Sequence, residues 1–163
     1  MLEELVLIRH AHAFPPTGWQ ADARRPLSPT GQDEALRAGQ WLGGNVQAPG
    51  QVLCSPAMRT RETLVQLAAA GCRLPAPRFE PAIYDASLDD LLGLMESDAA
   101  TASVHPRTWL VGHNPGLEQL LAHLDAAAHL HALPTAGIAV LRFNRQRAVT
   151  DPGAADIVAT WMP

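Results

Sequence analysis

Short apolar runs rich in β-branched residues alternate along the chain with longer stretches whose apolar positions recur every three or four residues. That alternation is the mark of an α/β fold. Glu4–Arg9 (ELVLIR) predicts a buried first strand, and residues 13–26, dense in Pro, Gly and polar groups, predict an irregular loop. Ser28-Pro29 then supplies an N-cap and a proline at the first helical position. Ala35, Leu36, Ala38 and Leu42 hold helical spacing up to Gly43-Gly44, where the helix is expected to stop. Gln51–Cys54 predicts a second strand, and Ser55-Pro56 repeats the cap-and-proline device for a helix reaching about Ala70.

Arg78–Glu80 reads as a short third strand, and Ser87 with Asp90 as a capping box for a helix carrying Leu91, Leu92 and Met95. Thr108–Val111 predicts the next strand and Asn114-Pro115 the next helix start, with Leu117, Leu120, Leu121 and Leu124 on one face. Ile138–Phe143 and Asp156–Trp161 predict two last strands, close enough in sequence to pair antiparallel at a sheet edge. The expected architecture is a single-domain, three-layer α/β/α fold with a mostly parallel central sheet and helices on both faces. Residues 1–163 are read as one domain, and neither repeats nor low-complexity tracts divide them.

Three predicted strand-to-helix junctions end in polar clusters: Arg9-His10, Cys54-Ser55 and Gly112-His113. In an open parallel sheet, ligands bind outside the carboxyl ends of the strands, so the three clusters are expected on one rim. Arg59 falls on the first turn of the helix after the second junction. Two guanidiniums, two imidazoles and helix N-termini make a site suited to a tetrahedral dianion.

The charge balance sharpens this reading. The formal net charge is −4, so an anion site must be a local concentration of Arg and His working against the global sign, and neither nucleic acid nor a membrane is an expected partner. The N-terminal segment MLEELVLIRH carries acids where a secretory signal carries basic residues, which predicts a cytoplasmic protein. Two cysteines, Cys54 and Cys72, are too few for a disulfide scaffold. His10-x-His12 and His129-x-His131 lack a third ligand at convincing spacing, so neither metal nor other cofactor is expected. His12 reads as an exposed, idle imidazole, His105 as solvated and His123 as a half-exposed structural residue. Trp41, Trp109 and Trp161 read as core, and Trp19 as packing down the first loop or lining an entrance.

Arg9-His10-Ala11 resembles the Arg-His-Gly signature of the histidine phosphatase superfamily, the phosphoglycerate-mutase-like enzymes. Arg25-Pro26-Leu27-Ser28-Pro29-Thr30-Gly31 is similar to the Arg-Pro-Leu-Thr-x-x-Gly element that follows it there, and Ser55–Thr63 to the Ser-Pro-x-x-Arg-x-x-x-Thr block. Val111–Gly116 resembles the late Gly-His block, so four blocks occur in order between residues 9 and 116. Length and the Arg-Pro-Leu element resemble most the SixA-type phosphohistidine phosphatases.

The resemblance implies His10 as a nucleophile that is transiently phosphorylated, with Arg9, Arg59 and His113 holding the phosphoryl oxygens. Arg25 at the pocket mouth, with Ala11 and Asn114 beside the phosphate, completes the implied binding set. The cations Arg9 and Arg59 are expected to keep His10 neutral, and its second ring nitrogen to donate to a backbone carbonyl. Ala11 stands where the family has Gly; its methyl is harmless at negative φ and costs roughly 1–2 kcal/mol in the left-handed region.

Glu80 and Asp85 are the carboxylates in the stretch where a general acid would fall, and the spacing selects neither. A ring nitrogen departs more easily than an alkoxide, so a missing acid favours a phosphohistidine substrate. The short stretch from Gly71 to Arg107 carries no insertion to roof the pocket, which suits phosphate borne on a protein, with a histidine phosphotransfer domain as one expected partner and a small phosphorylated molecule as the other. A small-molecule phosphomonoesterase and a non-catalytic phosphate-binding module are the alternatives.

Overall fold

A computed structural model of the chain describes residues 1–100, 105–127 and 132–163. In chain order its elements are β1 (Glu4–Arg9), α1 (Pro29–Asn45), β2 (Gln51–Cys54), α2 (Met58–Ala69), β3 (Arg78–Phe79) and α3 (Leu88–Ala100), then β4 (Arg107–Gly112), α4 (Gly116–Leu124), β5 (Ile138–Phe143) and β6 (Ala155–Trp161). Single 3-10 turns occur at Asp22–Arg24 and Pro81–Ile83. The strands form one sheet in the order β3-β2-β4-β1-β5-β6. The first four are mutually parallel, while β5 runs antiparallel to both β1 and β6.

Strand alternation builds two cores. Leu5 and Leu7 of β1, Leu110 of β4 and Leu141 of β5 point to one face, where Leu91 and Met95 of α3 and the leucines of α4 cover them. Val6 and Ile8, Val52, Trp109, Val111 and Val140 point to the other, beneath Ala35, Ala38 and Leu42 of α1 and Leu64 and Leu67 of α2. The three-layer expectation is therefore met, with a single sheet serving both cores.

Several local expectations need correction. α1 runs through Gly43-Gly44 to Asn45. Both glycines face open space, so the helix loses only propensity there and no packing. α2 begins at Met58, two residues later than the Ser55-Pro56 device implies, and α4 begins at Gly116 after a cis Asn114-Pro115 bond. Of the three tryptophans read as core only Trp109 is buried; Trp41 and Trp161 are half-buried, and Trp19 stands fully in solvent. His105 packs beside Gly50 and is half-buried, and His123 bonds the Thr150 carbonyl at 2.9 Å. His129 and His131 lie outside the described residues.

The register sets up the site. Arg9 lies opposite Gly112 and Cys54 opposite Val111, so β1, β2 and β4 end level with one another. The residues that follow, His10, Ser55 and His113, share one rim. α1 is seated against this rim through Gly31, where a Cβ would lie 1.9 Å from the His12 carbonyl oxygen. No helix of the described residues is long and apolar enough to cross a membrane.

Candidate active site

His10 follows directly on β1. Its backbone N–H donates to Gly112 O at 3.1 Å and its carbonyl accepts from Ala136 N at 3.0 Å, so the residue is pinned from both sides. Its Nδ1 lies 2.7 Å from the Ala11 carbonyl oxygen. A carbonyl only accepts, so Nδ1 carries the proton and Nε2 keeps its lone pair, without a hydrogen bond among the described residues. The residue is 8% exposed, and the unpaired Nε2 is not among the fully buried polar atoms, which leaves that nitrogen reachable. Burial is the largest cause that holds the His10 pKa down at about 3; His113, Arg59 and Arg9 lower it further, and the Ala11 carbonyl opposes them. The neutral imidazole expected from the sequence is thus present, but desolvation outweighs the neighbouring cations as its cause.

His113 closes β4 from the other side of the hollow, its ring centroid 5.3 Å from that of His10. Its Nε2 lies 2.7 Å from Ser55 Oγ. Ser55 is therefore not the helix cap the sequence suggested. Its oxygen accepts from Ala57 N at 3.3 Å, and since the hydroxyl meets no other acceptor among the described residues its proton is assigned to the His113 ring. A hydroxyl donating to Nε2 leaves the ring proton on Nδ1, which is buried without a partner among the described residues. Burial, then Arg59, keeps the His113 pKa near 4.

Arg59 is the second residue of α2 and 4% exposed. Thr63 ties it to the nucleophile's strand: the Thr63 hydroxyl donates to Arg59 O at 2.7 Å and accepts from Ala11 N at 3.0 Å. Arg9, half-buried, donates through one terminal nitrogen to Leu133 O at 3.2 Å. Among the described residues the Nε atoms of both arginines are buried without partners, like His113 Nδ1. Both guanidiniums and the His113 ring lie close enough to His10 to lower its pKa. Unpaired buried polar groups are costly, and a tetrahedral oxyanion seated among these cations is the partner such groups call for.

The remaining sequence candidates are placed less centrally. Ala11 has negative φ and a fully buried methyl packed in the core of the α1/α2 face, and its N–H is spent on Thr63. It therefore holds the His10 tautomer and does not hold phosphate. The Asn114 side-chain NH2 donates to Glu118 at 2.9 Å and to Leu133 O at 2.8 Å, so it too has no donor left for a phosphate. Glu80 is paired with Arg78, and Asp85 is exposed at φ 51°. Neither carboxylate bonds to Arg9, His10, Arg59 or His113 among the described residues, which removes the geometric basis for a general acid in either. Arg25 stands at the mouth, donating to Asp22 at 2.8 Å and to Phe14 O at 2.8 Å. His12 is exposed but not idle, since its Nδ1 meets Ser28 Oγ at 2.6 Å.

Two site residues escaped the sequence reading. Tyr84, the chain's single tyrosine, presents its ring edge to His113 at 5.5 Å and lies 5.8 Å from the Arg59 guanidinium. Its hydroxyl donates to Asp22 at 2.6 Å. Asp22 is the single acidic residue of the first loop, residues 13–26, but no periodicity, cap or motif there ties it to the site. No group of three or more metal-ligating side chains occurs among the described residues. The large cleft of about 590 Å³ lies elsewhere, at the amino ends of β1 and β4, where Glu4 pairs with Arg142 and Glu3 with Arg145.

The model of the histidine phosphatase superfamily (branch 1) matches residues 5–120, a span that holds Arg9, His10, Arg59 and His113. The chain belongs to that superfamily. An uncharacterized protein of Mycobacterium leprae is 35% identical to this histidine phosphatase superfamily member over 169 residues, covering 96% of this chain and 99% of its own. The putative phosphohistidine phosphatase SixA from Nakamurella multipartitia superposes with a TM-score of 0.80 at 29% identity, over 99% of this chain and 96% of that one. The protein histidine phosphatase SixA in complex with tungstate also gives 0.80, at 20% identity and over 96% and 95% of the two chains. Membership and the SixA-like fold together support phosphatase activity.

The signature departure is testable at once. With negative φ and a packed methyl at residue 11, Ala11→Gly is expected to change turnover by no more than about threefold and to lower stability by about 1 kcal/mol, from lost burial and added chain entropy. Steady-state kinetics and thermal melts of the two proteins check this. Emergence of activity in the variant from an inactive parent would show the methyl to be obstructive.

Proposed function

We propose that this chain is a phosphohistidine phosphatase in which His10 Nε2 takes the phosphoryl group from a phosphorylated histidine on a protein. The observation that carries this reading is the unpaired Nε2 of a neutral His10 beside Arg9, Arg59 and His113, whose Nε and Nδ1 atoms have no acceptor among the described residues.

In the first step the Nε2 lone pair forms a bond to phosphorus as the bond from phosphorus to the departing ring nitrogen breaks. The three donors hold the equatorial oxygens, where charge is spread in the transition state. The Nδ1 proton of His10, bonded to the Ala11 carbonyl, stabilises the charge its ring acquires. The departing imidazole takes a proton from solvent. In the second step water attacks the phosphorus of phospho-His10, the N–P bond breaks, inorganic phosphate leaves and the Nε2 lone pair returns.

The carboxylate nearest these groups, Asp22, accepts from Tyr84, Arg25 and Arg59, and these donors hold its pKa well below the usual carboxylate range. At neutral pH it has no proton to give a departing alkoxide. That state suits a nitrogen leaving group and disfavours ordinary phosphomonoesters. The SixA relatives support the same substrate class, and the tungstate held by one of them is a tetrahedral oxyanion. A histidine phosphotransfer domain is the proposed partner and the cytoplasm the proposed location.

The test is a dephosphorylation panel with a phosphohistidine protein, sugar phosphates and an aryl phosphate. The expected result is a kcat/KM at least about a hundredfold higher on the phosphohistidine protein, the scale of one missing proton donor. Equal values on sugar phosphates would replace the proposal with a small-molecule phosphomonoesterase. Tight phosphate binding without turnover would replace it with a binding module.

A further inference from the structure

The first loop reaches the pocket through Asp22. Its Oδ1 accepts from Arg25 Nε at 2.8 Å, and its Oδ2 from Tyr84 at 2.6 Å and from an Arg59 terminal nitrogen at 3.1 Å. Its backbone carbonyl accepts from the other terminal nitrogen of Arg59 at 3.0 Å. The carboxylate thus sits on the back of the guanidinium whose Nε faces no partner.

Such a group has two opposed effects on a bound phosphate. Fixing Arg59 strengthens the hold, and a negative charge a few ångströms away weakens it. The fixing role is shared: the Asp22 carbonyl, the Tyr84 ring and the burial of Arg59 by α2 all persist without the carboxylate charge. The charge effect is carried mainly by Asp22 at this end of the pocket: Asp85 also acts on Tyr84, but more weakly, and pairs with neither Arg25 nor Arg59 among the described residues. Arg9 has Glu34 and Glu118 near it, whereas Asp22 is the carboxylate that meets Arg25 and Arg59.

We propose that Asp22 is a positioning residue whose charge limits the grip of the Arg25/Arg59 side of the pocket on free phosphate, so that product leaves after hydrolysis. The inference rests on the reading of the pocket as a phosphate site. Asp22 touches arginine and tyrosine side chains and takes no part in bond making.

The experiment measures inorganic phosphate binding to the full chain by calorimetry at neutral pH and low salt. It compares wild type with Asp22→Asn, Asp22→Glu and Arg59→Ala, and adds kcat and KM on the phosphorylated substrate. Asparagine keeps the shape and an acceptor for Tyr84 but removes the charge. Asp22→Asn is expected to bind phosphate about three- to tenfold tighter, with the gap shrinking as salt is added and with kcat falling while kcat/KM is kept or raised. Asp22→Glu is expected to return to within about twofold of wild type, since it keeps the charge.

A merely structural role predicts the reverse, because a loosened Arg59 binds phosphate more weakly and raises KM. Unchanged or weaker binding by Asp22→Asn, or equal tightening by Asp22→Glu, overturns the inference. If Arg59→Ala binds phosphate as wild type does, the phosphate-site reading itself falls and takes the inference with it. Loss of binding in Arg59→Ala alongside weakened binding in Asp22→Asn sinks the Asp22 role alone.

Discussion

His10→Ala is expected to lower phosphohistidine turnover by at least about a thousandfold while leaving the fold in place. The loss is large because the neighbouring groups cannot substitute. His113 has its Nε2 committed to Ser55, and its remaining nitrogen carries the proton that serves as an oxygen donor. The fold survives because His10 is held by its backbone, through Gly112 and Ala136, and the ring contributes only one local hydrogen bond to the Ala11 carbonyl. Removing a buried imidazole whose pKa lies at about 3 also removes a group that opposes folding in mild acid. The unfolded chain takes up that proton as pH falls through its ordinary value, the native ring does not, and so the native ring costs stability below about pH 6.5. The variant is therefore expected to melt within a few degrees of wild type at neutral pH and to lose less stability on acidification. Alkaline-quenched radiolabel trapping and thermal melts check both halves. A variant that keeps a tenth of the activity would remove His10 from the chemistry.

Gly31→Ala is expected to lower stability by about 3 kcal/mol or more, which for a chain of this size is a fall of about 6–12 °C in melting temperature. Gly31 is the third residue of α1, and its missing side chain is what lets the helix settle on the segment after the nucleophile. A methyl there would sit 1.9 Å from the His12 carbonyl oxygen and 2.8 Å from the carbonyl carbon. Both are backbone atoms and cannot swing aside as a side chain could. The same carbonyl accepts from Ser28 N at 3.0 Å, so displacing it also strains the cap of α1. Turnover should fall with stability, since the displaced segment begins two residues from His10. A melt within 2 °C of wild type, roughly half a kcal/mol, would mean that the contact is loose.

The layers and the rim were legible in the sequence because they follow from local pattern. Strand alternation in Leu5–Ile8 and the apolar stripe of α4 each declare their buried faces. The capping box at Ser87 formed as read, with Asp90 accepting from Ser87 N at 2.9 Å, and Ser28 capped α1 by accepting from Gly31 N at 3.1 Å. Ser55-Pro56 looks identical to Ser28-Pro29 along the chain, yet its hydroxyl serves His113, a partner 58 residues away. A local rule cannot see that competitor. Asp22 and Tyr84 escaped for the same reason: their meaning lies in a contact across 62 residues between two irregular segments. Thr63 was visible only as the last letter of a motif, and its bridge between Ala11 and Arg59 supplies the physical reason for the letter. The corrected position of Asn114 has a similar origin, since Glu118 and Leu133 claim its donors from the following helix and a distant loop.

The strand that carries the nucleophile lies in the interior of the sheet, laddered to β4 along one edge and to β5 along the other. Amide protons there can meet deuterated water only when the sheet itself comes apart, so they should be among the slowest in the chain to exchange. The turn bearing Asp22 is held mainly through one half-exposed carboxylate, and its amide protons are expected at the opposite extreme. One wall of the hollow is thus expected to last as long as the native state, and the other to open and shut within that lifetime.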